Sequence, residues 1–204
     1  MTTAPITMGR PGLALTPGDH ICAFYRGTAQ RDEILLPFLA EGVVSGDRCI
    51  CVLDDDDLEQ VTRPLSLTLD VERALSSGQL DLLTSSQAYY PHGSFAPEKM
   101  IAFWESNVAP AVTSGRYPLV RAVGEMTWAL RDLPGVEHLV GYEARLNRFL
   151  PRYPQVILCL YDLERFTDGQ LLMEMLRTHP KVLMSGQLLD NPWYVEPDDG
   201  TAVA

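Results

Sequence analysis

Four strand-like runs, at 20–25, 48–54, 119–125 and 155–162, constrain this chain more than any other feature. Helical patterns separate them, which is the signature of a parallel α/β sheet. Such sheets hold ligands outside the carboxyl ends of their strands. Three of the four ends carry a carboxylate: Asp54, Glu125 and Asp162. The turn after the first run reads Tyr25-Arg26-Gly27-Thr28-Ala29-Gln30-Arg31-Asp32. A nucleotide-binding fold needs G-x-x-x-x-G-K-[ST] at that place. The expectation is therefore an ATPase-like architecture without its phosphate chemistry, put to use in sensing a ligand.

Charge narrows the partners. The net charge is -11, and the only lysines are Lys99 and Lys181. That is a poor electrostatic footprint for nucleic acid or an anionic membrane, so direct contact with either is not expected. A role in transcription would run through a protein partner. Neither lysine follows a glycine-rich turn, so P-loop and Schiff-base chemistry lack their cation. No apolar run approaches the ~20 residues that span a bilayer. Residues 1–10 lack the basic start and apolar core of a secretory signal, so the expected location is the cytoplasm. Cys22, Cys49, Cys51 and Cys159 all fall within predicted strands without a C-x-x-C pattern and read as reduced core thiols.

The organisation is that of one domain over 18–197, between a flexible lead-in at 1–17 and a flexible tail at 198–204. Thr28 can cap a helix reaching about Ser45, with Ile34, Leu35, Phe38, Leu39 and Val43 as its apolar stripe and Pro37 as a possible kink. The acidic run from Asp54 to Asp57 reads as charge favouring a helix start rather than as a metal loop. A short helix at 70–77, a strand at 80–84, and helices at 97–113, 137–150 and 168–178 follow. A strand at 181–186 completes the alternation.

Three constellations can carry chemistry. Gly124 beside Glu125 lets a ligand or another backbone approach closely, and Trp128 stands one turn on. If its strand neighbours that of Asp162, the two carboxylates can bind a cation, serve as acid and base, or hold a ligand. Alternatively they pair with Arg121, Arg26 or Arg145, or cap helices; both readings stand. Next, His20 and Cys22 share one strand face, yet no zinc spacing is recognisable, so no metal is expected. Finally, Tyr25, Tyr89, Tyr90, Trp128, Tyr161, Trp193 and Tyr194 gather at predicted strand ends and loops. As a group they suggest a pocket; singly, each can simply cover the sheet edge.

The segments 20–25, 42–52, 121–128, 142–143, 159–162, 179–180 and 191–194, in this order and spacing, resemble the MEDS domain, the methanogen/methylotroph sensory domain named with a dichloromethane-responsive regulator. The resemblance covers about 18–197. It implies a RecA-like α/β/α fold without a working P-loop and a sensory role proposed to involve small hydrocarbon derivatives. Carried over by position, it marks His20, Tyr25, Glu125, Trp128, Glu143, Tyr161, Asp162 and His179. These can equally be the family's structural signature. Many relatives carry an output module, whereas about seven residues follow Pro197 here. The signal is thus expected to pass through a partner or homodimer, unless the chain is an excised fragment.

The leading expectation is a single-domain, three-layer α/β/α protein with a largely parallel sheet. It would be a non-catalytic cytoplasmic sensor that takes a small, partly apolar ligand at the carboxyl edge and needs no cofactor. Tyr25, Tyr90, Trp128 and Tyr161 would line the pocket, with Glu125, Asp162 and His20 orienting the ligand. Two alternatives are an enzyme using Glu125 and Asp162, with or without a divalent metal, and a ligand-free interaction module of an anti-sigma or kinase system.

Overall fold

The computed structural model describes residues 6–10, 12–55 and 57–197. In chain order the strands and helices are β1 (Ile6–Thr7), β2 (Ala14–Leu15), β3 (His20–Tyr25), α1 (Gly27–Val44), β4 (Arg48–Leu53), α2 (Leu58–Leu65), α3 (Val71–Ser76), β5 (Leu80–Thr84), α4 (Ser85–Ala88), α5 (Pro97–Thr113), β6 (Val120–Glu125), α6 (Leu139–Phe149), β7 (Gln155–Asp162), α7 (Gly169–Thr178), β8 (Lys181–Met184) and β9 (Gln187–Asp190). Seven strands form one sheet in the order β5-β4-β6-β7-β3-β8-β9. All its pairings are parallel except the β8–β9 hairpin, which turns at Ser185 and Gly186 with positive φ.

The central strands are buried along their whole length, so they read as continuous apolar runs rather than alternating ones. Successive side chains nevertheless serve opposite faces. Ile21, Ala23, Cys49, Cys51, Leu158 and Leu160 meet Leu35, Phe38 and Leu39 of α1 and Val61 of α2. Cys22, Phe24, Ile50, Val52, Cys159 and Tyr161 meet Trp104 of α5, Tyr142 and Leu146 of α6 and Met175 of α7. Each fully buried aliphatic or aromatic chain contributes roughly 1.5–3 kcal/mol. The result is three layers, α1–α3 on one face and α5–α7 on the other.

Local signals explain the helix ends. Asp168 accepts from the backbone N–H groups of Gln170 and Leu171 to start α7, Asp70 accepts from Arg73 to start α3, and Pro97 opens α5. α1 begins at Gly27 without a side-chain cap from Thr28 and runs through Pro37. Two further differences from the sequence reading matter. The strand expected at 181–186 ends at Met184, and β9 returns beside it. The expected lead-in, where described, is a small antiparallel ladder whose Met8 and Leu15 enter the α1-side core; residues 1–5, 11 and the expected tail at 198–204 lie outside the described residues.

Strand order sets the site. β4 and β3 lead into helices of one layer, while their neighbours β6 and β7 lead into the other. The connections therefore diverge at β4/β6 and again at β7/β3, which are the positions where open α/β sheets form ligand crevices.

Candidate functional site

The nine expected site residues fall into three groups rather than one pocket. The first group occupies the carboxyl edge. Tyr25 stands opposite Asp162 in the β3–β7 register, and Glu125 opposite Leu160 in the β6–β7 register. Glu125 Oε1 accepts from the Tyr25 hydroxyl at 3.0 Å and from the Thr127 backbone N–H at 3.2 Å. Its Oε2 lies 2.6 Å from the Thr127 hydroxyl, which is also 3.1 Å from Asp54 Oδ2. One hydroxyl proton cannot serve two carboxylates. Burial resolves this by pushing the Glu125 carboxyl up to about 7, against the lowering pull of the Thr127 and Tyr25 hydrogen bonds. A protonated Glu125 donates to Thr127, and Thr127 donates to Asp54.

Asp162 does something different. Its Oδ1 accepts from the backbone N–H of Gly27 at 3.3 Å and of Glu164 at 2.9 Å. The single residue Arg26 joins β3 to α1, so no loop exists to wrap a phosphate. The anion-favouring start of α1 is instead filled by the protein's own carboxylate. Glu125 and Asp162 are thus each committed to internal donors, not to Arg121, Arg26 or Arg145. Arg121 lies at the far end of the sheet, with Asp47 at 2.8 Å.

The acidic run behaves differently from its helix-start reading: α2 has no side-chain cap among the described residues. Arg131 donates to Asp54, Asp55 and Tyr90, Arg165 approaches Asp54 at 3.5 Å, and Arg31, almost fully buried, holds Asp57 at 2.6 Å. Long guanidinium forks reach these half-buried carboxylates and neutralise them, which outweighs capping. Asp56 lies outside the described residues.

The second group is aromatic. Trp128 is fully buried and stacks on Tyr89 at 4.6 Å between ring centroids, with Phe95 at 5.0 Å and Tyr90 at 5.9 Å. Its Nε1 has no hydrogen-bond partner among the described residues. The close approach expected at Gly124 is made by the Tyr89 hydroxyl: a Cβ there would lie 2.2 Å from it. These rings fill the edge on the α5–α7 side, whereas Tyr25 belongs to the core on the α1 side.

The third group was not expected as a group. His20 from β3, Glu143 from α6 and His179, the residue after α7, meet under the sheet with Cys159 of β7 and Tyr161. All are buried. His20 Nε2 lies 3.2 Å from Glu143 Oε2, and His179 Nε2 lies 3.5 Å from the same oxygen. Burial lowers His20 to about 4 and His179 to about 3, so both imidazoles are neutral at pH 7 and these are not ion pairs. Burial likewise raises the Glu143 carboxyl and the Cys159 thiol. A sequence signal was present in α6: Glu143 and Asn147 follow Leu139 at i+4 steps, on the helix's buried stripe.

Open space lies beside the first group. A cleft of about 550 Å3 sits beyond the carboxyl end of β3, lined by the apolar Phe24, Tyr25, Ile34, Leu163 and Met184 and by the polar Arg10, Arg26, Gln30, Glu33 and Ser185, with Gly186. Of the nine expected residues, only Tyr25 faces it. Among the described residues no helix is long and apolar enough to cross a membrane.

Comparison with known proteins matches these observations. The family model described as MEDS, MEthanogen/methylotroph, DcmR Sensory domain, matches residues 19–180. The transcriptional repressor DcmR of Methylorubrum extorquens is 30% identical over 170 residues, 82% of this chain and 60% of that protein. This chain therefore spans under two thirds of the repressor's length. A KaiC-like protein from Pyrococcus horikoshii superposes with a TM-score of 0.61 at 13% identity, covering 88% of this chain and 79% of that one. The flagellar accessory protein FlaH of Methanocaldococcus jannaschii gives 0.58 at 13% identity, covering 87% and 77%. These two likenesses show a RecA-like fold.

Proposed function

The chain belongs to the MEDS family of sensory domains, and from that premise we propose that it binds a small, partly apolar organic molecule in the cleft beyond β3. The cleft carries the proposal. It adjoins the crevice where β7 and β3 diverge, and its lining sets apolar side chains beside arginine, glutamine and glutamate, the combination that a partly apolar ligand with a polar group needs. Tyr25 links it to the interior, because its hydroxyl binds Glu125 while its ring borders the cleft. Occupancy would then shift the α1 start and the β8–β9 turn, both of which wall the cleft, and so alter a surface read by a regulatory protein or a second copy of the chain in the cytoplasm. Transcriptional control, the role for which the DcmR relative is named, would be exerted through that partner.

Native mass spectrometry of the purified chain, with a denatured control, tests this. The expected result is a non-covalent organic adduct on the wild-type protein, or one formed on adding short haloalkanes or alcohols. It should be absent from Ile34→Trp, whose indole fills the cleft. Binding that survives Ile34→Trp, or no binding by any of these probes, would overturn the assignment.

A further inference from the structure

We propose that His20, Glu143, Cys159 and His179 form a closed, four-coordinate site for a divalent cation of zinc type. This goes beyond the sensory assignment and does not depend on it. Four ligand atoms from four different elements, His20 Nε2, Glu143 Oε2, Cys159 Sγ and His179 Nε2, lie within 4.8 Å of one another.

The hydrogen bonds around the site fix its protons. His179 Nδ1 is 2.7 Å from the backbone carbonyl of Met175, which can only accept, so that nitrogen carries the proton and Nε2 is a bare lone pair. Asn147 donates its Nδ2 to the carbonyl of Thr178 at 2.7 Å, which turns its Oδ1 toward His20 Nδ1 at 3.0 Å. His20 is thereby protonated at Nδ1 and bare at Nε2. Two imidazole lone pairs and a carboxylate oxygen thus converge in a dry interior. The Cys159 thiol and a protonated Glu143 could supply two protons at most, and His179 Nε2 has no hydrogen-bond partner among the described residues. A cation satisfies all four atoms at once.

Distances agree. Zinc bonds of about 2.0–2.1 Å to nitrogen and oxygen and about 2.3 Å to sulfur place tetrahedral ligands roughly 3.3–3.6 Å apart. The observed separations are 3.2 Å (His20–Glu143), 3.5 Å (His179–Glu143), 3.5 Å (Cys159–His20) and 3.7 Å (Cys159–Glu143). The outer contacts also have the pattern of metal-bound histidines, whose second nitrogen donates to an amide or backbone oxygen. Tyr161 adds a hydroxyl 3.4 Å from Glu143 Oε1. Thiolate and imidazole together favour zinc over magnesium or calcium. Four protein ligands leave no open position, so the ion is a clamp rather than a Lewis acid. It joins β3, β7, α6 and the segment after α7. Binding makes four bonds to the metal and releases to solvent the thiol proton, together with the Glu143 carboxyl proton wherever that group is protonated, without redox change.

Sequence spacing hid the site because no two of its ligands are close in the chain. The test uses the full-length protein, metal content first, then cobalt. One zinc per folded chain is expected by elemental analysis. After chelation, Co(II) should restore one equivalent, with tetrahedral visible bands and a sulfur-to-cobalt charge-transfer band. Cys159→Ser should abolish the charge-transfer band, and Asn147→Leu should weaken metal affinity roughly 10–100-fold. Should Cys159→Ser fail to fold, the wild-type cobalt spectrum alone decides. A folded wild-type protein that carries no metal and gives no cobalt spectrum after reconstitution would overturn the proposal.

Discussion

The carboxyl edge and the buried histidine cluster use similar residues to opposite effect. At the edge, donors match acceptors: Arg131 forks onto Asp54 and Asp55, Tyr25 and Thr127 hold Glu125, and two backbone amides hold Asp162. Under the sheet, hydrogen bonds from outside fix both imidazoles so that bare nitrogens point at a carboxyl group. The first arrangement is complete within the chain, while the second lacks positive charge. A polar cluster is thus best read by counting protons and lone pairs, since residue types alone would have ranked these two alike.

The largest test of that contrast is Glu125→Gln. A carboxyl held near 7 instead of its usual 4.5 keeps a proton in the folded state that the unfolded chain has lost. Its contribution to stability is therefore present below about pH 4.5 and is lost as pH rises through 7. Glutamine keeps the acceptor for Tyr25 and the donor for Thr127 at every pH. Denaturant melts should show the variant gaining about 3 kcal/mol on wild type between pH 4 and pH 8; parallel pH profiles would break the proton assignment at the edge. Next in size is Asn147→Leu, which strands the His20 Nδ1–H in the interior and should cost about 2 kcal/mol. A cost near zero would mean that His20 is held in no fixed tautomer. Smallest is Tyr25→Phe, expected to lose about 1 kcal/mol. Because the Tyr25 bond favours ionised Glu125, its removal should also move the pH midpoint upward, and a downward move would contradict the donor assignment.

Much of this molecule was legible beforehand. Strands such as 155–162 carry unbroken apolar runs, and a run buried on both faces needs no partner information to be recognised. Helix limits at Pro97 and Asp168 were equally plain, because capping is local. The β8–β9 turn was not, since Ser185 adopts a positive φ that serine rarely signals. The nine site residues were visible as types, but their grouping was not. Tyr25 and Tyr161 differ only in which face of the sheet they address, and that follows from strand parity and order. Arg131, which binds three edge residues, sits in a loop without any pattern to mark it. Glu143 was detectable in principle, as a carboxyl group on the apolar stripe of α6.

The one-residue passage from β3 to α1 has a thermodynamic consequence. RecA-like machines draw direction from splitting a nucleotide, and this chain gives the corresponding helix start to Asp162. A sensor that acts as proposed, through ligand binding alone, works at equilibrium. It can be reset by dilution, it shows no hysteresis, and its response cannot exceed the difference in affinity between its two conformations. Swinging such a balance from 1:99 to 99:1 takes about 5.5 kcal/mol of preferential binding. Any partner that reads the domain must, by reciprocity, also tighten or loosen its hold on the signal.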